Sequence, residues 1–188
     1  MTAFLSSFLV VALAEMGDKT QLIAFSLASR FRRPWTVMLG ILLATVVNHA
    51  LASSAGAWIA AVLPARALAW ILGLGFVAFG VWTLVPDRAR EPGERRGWGP
   101  LLSTAVIFFF AEMGDKTQLA TVALGARFAA PIAVTAGTTL GMVSADGLAV
   151  FAGTRLAATL SLTLARRVAA ALFFLFGVAA LLRAVGLV

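Results

Sequence analysis

The chain has 188 residues, 61% of them hydrophobic and only 12% charged, with a mean hydropathy of +0.98. A composition this apolar excludes a soluble domain, and apolar stretches of helix length without strict alternation exclude an outer-membrane barrel, which leaves an all-α polytopic membrane protein. The formal net charge of +7 is not a nucleic-acid signature, because most arginines fall at predicted helix ends; the lack of cysteine excludes disulfides and thiolate metal sites.

Six apolar segments are predicted, at about residues 3–28, 35–62, 66–86, 100–126, 131–155 and 165–187. At about 1.5 Å rise per residue, a helix from Ala3 to Ala28 is long enough to cross the roughly 30 Å hydrocarbon core. Ala12-Leu13-Ala14 has the look of a signal-peptide cleavage site. The N-terminus has no basic region, however, and an equivalent stretch recurs at Leu101 to Ala111, so the first segment reads as a retained helix.

The first segment carries Glu15-Met16-Gly17-Asp18-Lys19-Thr20-Gln21, and the fourth repeats it 97 residues later as Glu112-Met113-Gly114-Asp115-Lys116-Thr117-Gln118. The same offset pairs Arg30-Phe31 with Arg127-Phe128, Pro34 with Pro131, Gly40 with Gly137, Gly56 with Gly153 and Gly80 with Gly177. Two tandem repeats of three transmembrane helices follow, residues 1–86 and 100–188, joined by a solvated linker over 87–99. An odd number of spans per repeat inverts the second copy in the membrane, and the inversion brings both motifs together at the midplane.

The second and fifth segments carry matched stripes of mostly small residues: Gly40, Ala44, Asn48, Ala52, Gly56 and Gly137, Gly141, Ala145, Ala149, Gly153. Such stripes let backbones approach closely in lipid, here against the motif helices. Of the eight acidic residues, three lie in the linker; Glu15, Asp18, Glu112, Asp115 and Asp146 lie within predicted spans. Ten arginines fall in the first, third and fifth loops, and only Arg66, Arg127 and Arg183 on the opposite side. That asymmetry places the linker in the cytoplasm and both termini outside a cell membrane.

A carboxylate in mid-membrane costs about 2.5–3.5 kcal/mol on insertion scales, so four of them in duplicate need a reason. On a continuous helix Glu15 and Asp18 share a face, with Lys19 one turn beyond Glu15 and Gln21 beyond Asp18. Gly17 permits a close neighbour or a local break, and Thr20 can bond back to a backbone carbonyl to stabilise a bend. The two copies together offer four carboxylates, the amides of Gln21 and Gln118 and the hydroxyls of Thr20 and Thr117. This all-oxygen set suits a hard divalent cation, with Lys19 and Lys116 offsetting charge when the metal is absent. The competing reading makes Glu15–Lys19 and Glu112–Lys116 intrahelical ion pairs. Such pairs are poor stability devices, and they would leave Asp18 and Asp115 unpartnered.

Asp146 corresponds to His49 at the same offset. Asp146 reads as a proton relay or secondary ion site, or else as a partner of Lys19 or Lys116. His49, the only histidine, is a proton carrier, a ligand or a satisfied packing residue, and Asn48 can add a carbonyl ligand. Met16 and Met113 are either softer ligands favouring Mn²⁺ or gap-fillers. Phe108-Phe109-Phe110 and Phe173, Phe174 and Phe176 face lipid or pack, and the tryptophans mostly mark span ends.

The doubled Glu-x-Gly-Asp-Lys-Thr pattern resembles the Gdt-type cation/proton exchangers, once catalogued as uncharacterised protein family sixteen, which include the Golgi manganese/calcium transporters of eukaryotes. The resemblance covers the whole chain. It implies three-plus-three helices with a short central loop, and export of Mn²⁺ or Ca²⁺ in exchange for protons without a prosthetic group. It also implies that Glu15, Asp18, Glu112 and Asp115 form the transport site, and compact bacterial members look like manganese exporters. The expected partners are the metal ion, protons and the bilayer, with no nucleic acid and a homodimer left open. A Ca²⁺:H⁺ exchanger, a passive cation channel and a metal-dependent lipid-phosphate hydrolase are the rivals. Rings of acids also serve channels, whereas the hydrolase would want arginines beside the acids, and here they lie at span ends, so no enzyme is expected.

Overall fold

The computed structural model describes residues 1–85, 98–157 and 162–187, with the side chains of 152–157, 162 and 165 excepted; most of the predicted linker and the surroundings of Gly153 lie outside the described residues. Among those residues the fold is all-helical: α1 (Thr2–Glu15), α2 (Lys19–Phe31), α3 (Pro34–Val62), α4 (Ala65–Leu84), α5 (Pro100–Glu112), α6 (Lys116–Phe128), α7 (Pro131–Ala157) and α8 (Leu162–Ala184). Four of them, α3, α4, α7 and α8, are long and apolar enough to cross a membrane. Leu51, Leu74 and Leu175 point outward from the bundle, so its exterior carries apolar side chains.

The first and fourth apolar segments are not the continuous helices expected. Each divides at its motif into two half-length helices, α1 and α2 in one case, α5 and α6 in the other. The cause is local. Gly17 and Gly114 take φ of 80° and 76°, in the left-handed region where a side chain costs about 1–2 kcal/mol. On either side, Met16 and Asp18, and likewise Met113 and Asp115, are extended. The shared helical face drawn for Glu15, Asp18 and Lys19 therefore does not exist: the glutamate ends one helix and the aspartate stands at the N-terminal boundary of the next.

Several close glycine contacts correspond to one another when residue numbers are exchanged by 97. A methyl at Gly40 would lie 2.9 Å from the Leu101 carbonyl oxygen and 2.7 Å from Thr104 Cβ, and Gly137 stands in the same way against Phe4 and Ser7. Gly80 packs on the Phe174 ring and Gly177 on Val77, the exchanged pair, where α4 meets α8. The small-residue stripes thus seat α3 on α5 and α6, and α7 on α1. Two buried apolar clusters flank the motifs. One gathers Val10, Phe76, Leu124 and Phe173, the other Ile23, Leu27, Ile41 and Phe108. Phe108 and Phe173 are therefore packing residues, whereas Phe110 is exposed on the exterior.

Candidate metal centre

Breaking two helices leaves four sets of unpaired backbone groups inside the bundle, and the motif residues satisfy many of them. The Gln21 side-chain oxygen accepts the Gly17 N–H at 2.9 Å, and Gln118 does the same for Gly114 at 2.7 Å. The N–H of Asp18 reaches the Glu15 carbonyl at 3.0 Å, and that of Asp115 the Glu112 carbonyl at 3.0 Å. Asn48 donates to the Phe109 carbonyl at 3.1 Å, one of the acceptors stranded at the end of α5. Gln21 also donates to the Ala145 carbonyl of α7 at 2.8 Å.

Asp18 and Asp115 stand at the N-caps of α2 and α6, yet neither side chain caps its own helix. Each instead takes the lysine of the other motif. Lys19 Nζ lies 2.9 Å from Asp115 Oδ1, and Lys116 Nζ 2.7 Å from Asp18 Oδ1. The ion pairs described are crossed between the motifs, where the competing reading expects Glu–Lys pairs within one helix. Hydroxyls serve the glutamates: Thr20 donates to Glu15 Oε2 at 2.5 Å and Thr117 to Glu112 Oε2 at 3.1 Å. This replaces the backbone bond expected of Thr20.

The consequence is a buried cluster of acids. Glu15, Glu112 and Asp115 each bring a carboxylate oxygen to within 4.8 Å of the others, with 0%, 0% and 5% of their surfaces exposed. Around a hard cation with metal–oxygen distances of about 2.1–2.5 Å, ligand oxygens stand at most about 4–5 Å apart, so the spread is of the order that one ion spans. Glu15 Oε1, Glu112 Oε1 and Asp115 Oδ2 are buried without a hydrogen-bond partner. Lone pairs left open in this way are what a cation would take up. Asp18, buried and held by Lys116, lies outside that triplet.

The remaining sequence-predicted residues divide. Gln21 and Gln118 spend their amide oxygens on the glycine N–H groups and so are struts of the break, not ligands in this arrangement. The Asn48 amide nitrogen is likewise structural, while its Oδ1 is buried and unpartnered. Asp146 is fully buried with neither oxygen hydrogen-bonded, close enough to Glu15 and Glu112 to feel their charge. The ion pair with Lys19 or Lys116 considered for it is not made, since both lysines are engaged by aspartates. His49 is fully buried with neither ring nitrogen bonded, so it is not the satisfied packing histidine of the ordinary case. Sequence reasoning missed the contact of Thr45 Oγ1 with Met142 Sδ at 3.2 Å, residues related by the offset itself. Their separation, equal to the repeat offset, was the available signal.

Comparison with known proteins places the chain in a family. The family model described as the divalent cation/proton antiporter GDT1 matches residues 3–91 and 100–187. A Vibrio cholerae serotype O1 protein named as a candidate manganese exporter is 42% identical, over 95% of this chain and 90% of its own length. A GDT1-like protein of Synechocystis sp. is 32% identical over 95% of this chain and 96% of its own length. The chloroplastic PAM71-homolog of Arabidopsis thaliana is 30% identical over 95% of this chain and 58% of its own length. No solved structure matches the chain. The chain belongs to the GDT1 family of divalent cation/proton antiporters.

Proposed function

We propose that this protein exports a divalent cation, Mn²⁺ in the first place, across the cell membrane in exchange for protons, with Glu15, Glu112 and Asp115 as the metal's ligands and Asp18 joining them. The observation that carries the reading is the meeting of three buried carboxylates, drawn from both motifs, within 4.8 Å. Family membership supports the proton coupling, and the name of the Vibrio cholerae relative supports manganese as cargo. Six spans in two inverted repeats, 1–86 and 100–188, are the architecture we assign, with α1–α2 and α5–α6 each making one broken span. The contacts that survive exchange by 97 support that assignment. The arginine asymmetry supports a cytoplasmic linker and external termini.

The four motif carboxylates and two lysines leave two net negative charges. One divalent cation balances them, and so do two protons, which is why metal and protons can alternate at one site. In the metal-free state the crossed lysines hold the aspartates; an arriving cation competes with the ammonium groups for them. The broken spans aid this exchange, because helix C-termini at Glu15 and Glu112 favour a cation and helix N-termini at Asp18 and Asp115 favour the carboxylates. Asp146 stands outside the charge balance, and its place beside the glutamates suits it to proton coupling; an ionised carboxylate without partners is costly to bury. His49 and Asn48 Oδ1 line up as secondary participants on α3.

Proteoliposomes carrying the full chain test the proposal through metal-dependent proton flux, with Mn²⁺, Ca²⁺ and Mg²⁺ in parallel. Mn²⁺ moving one way should drive protons the other, and Asp18→Asn should abolish both fluxes in a folded protein. Metal flux without proton movement would identify a channel, and larger flux with Ca²⁺ would make calcium the cargo. Unchanged flux in Asp18→Asn would remove that residue from the site.

A further inference from the structure

The three arginines outside the arginine-rich loops converge. Arg66 at the start of α4, Arg127 in the last turn of α6 and Arg183 in the last turn of α8 all line one cavity of about 620 Å³. Its walls between them are apolar, including Leu68, Leu72 and Ala180. Arg66 Nε donates to the Ala184 carbonyl at 3.2 Å, which anchors that side chain at the rim. Arg127 lies between the rings of Phe128 and Phe176, its Cζ 5.6 and 5.3 Å from their centroids, with its Nε buried and without a hydrogen-bond partner.

Arginines in the last turn of a helix complement its dipole, which accounts for Arg127 and Arg183 one at a time. It does not account for three like charges on one cavity. Among the described residues, no acidic side chain lines the cavity. The described acids, Glu15, Asp18, Glu112, Asp115 and Asp146, are engaged in or beside the metal centre. The described lining therefore offers these guanidinium groups no carboxylate side chain.

We infer that this cavity is an anion site for a phosphate group, in which Arg66, Arg127 and Arg183 hold the phosphate oxygens and the apolar walls accept what the phosphate carries. The guanidinium fork matches phosphate oxygens, and apolar flanks suit the glycerol and acyl stem of an anionic phospholipid better than a fully hydrated ion. A lipid headgroup and a free phosphate share this chemistry, and the experiment separates them.

The purified full chain in neutral detergent is titrated with phosphatidylglycerol, phosphatidylcholine and inorganic phosphate while binding is read by native mass spectrometry and thermal stability. Tight binding of phosphatidylglycerol, with a raised melting temperature, is expected for the wild type. In Arg66→Gln/Arg127→Gln/Arg183→Gln it should weaken roughly hundredfold, about 1 kcal/mol per arginine converted at tenfold per 1.4 kcal/mol. The single variant Arg127→Gln, which leaves the rim anchor of Arg66 in place, keeps the test open should the triple variant fail to fold; it should lose binding in part. Saturable binding of inorganic phosphate that competes with the lipid would assign the site to free phosphate as well. Equal binding of phosphatidylcholine, or undiminished phosphatidylglycerol and phosphate binding in both variants, would overturn the inference.

Discussion

The two motifs are identical in sequence and alike in hydrogen bonding, but they are not equally enclosed. The Lys19 side chain is 26% exposed and that of Lys116 only 4%, although each makes the same pair with the other's aspartate. Met113 is 53% exposed and Gly114 is exposed with it, whereas Met16 and Gly17 are half-buried. Since Lys19 binds Asp115, all these exposed groups belong to one edge of the centre, that of the second break. The lesson is that the duplicated sequence sets the pairing and not the access. Under the inverted arrangement proposed above, exchanging the conformations of the two halves would move the open edge to the first break, which is what alternating access requires.

The largest effect that bears on this comparison is on stability. Lys116→Met takes the ammonium from a fully enclosed Asp18, and loss of a partner in a buried pair costs about 3–5 kcal/mol. Lys19→Met should cost less, about 1–3 kcal/mol, because Lys19 and the edge it occupies reach the exterior. Detergent-induced unfolding of the two variants measures the difference; equal losses would mean that the asymmetry has no energetic content. Next comes the backbone. Gly114→Ala should cost about 1–2 kcal/mol from its left-handed φ alone, since a methyl there meets nothing within 4 Å. A loss well above that would show the exposed break to be more tightly packed than its geometry indicates. The smallest effect sharpens the question of access. The chain has no cysteine, so Met113→Cys and Met16→Cys can be labelled singly with a water-soluble maleimide. Met113→Cys should react several-fold faster, a modest ratio because Met16 is itself only half-buried. Equal or reversed rates would mean that the second break is exposed to lipid and not to water.

Much of this was legible in the chain. Hydropathy located the long helices α3, α4, α7 and α8 to within a few residues, and the 97-residue offset matched glycines with equivalent surroundings, Gly40 with Gly137 and Gly80 with Gly177. The duplicated acids pointed to the centre, because few other reasons put carboxylates among apolar residues. The break itself was the hidden part. Gly17 and Gly114 permit either a tight neighbour or a left-handed turn, and sequence spacing does not choose between them. Once the turn is made, Lys19 and Lys116 swing toward the opposite motif, Thr20 and Thr117 reach back to the glutamates, and Gln21 and Gln118 bridge the gap in the backbone. Those are properties of two segments facing each other, which no periodicity within one segment encodes. The arginine cavity was hidden for the same reason, since Arg66, Arg127 and Arg183 are far apart along the chain and meet only where three helix ends do.

The central claim is that both motifs hold one cation jointly. Mn²⁺ bound to the detergent-solubilised full chain, counted by equilibrium dialysis for the wild type, Glu15→Gln and Glu112→Gln, tests it most directly. One ion per chain is predicted, with binding lost alike when either glutamate is replaced. Two ions per chain, or a full complement retained after loss of one glutamate, would mean that each motif binds alone and would contradict the shared centre.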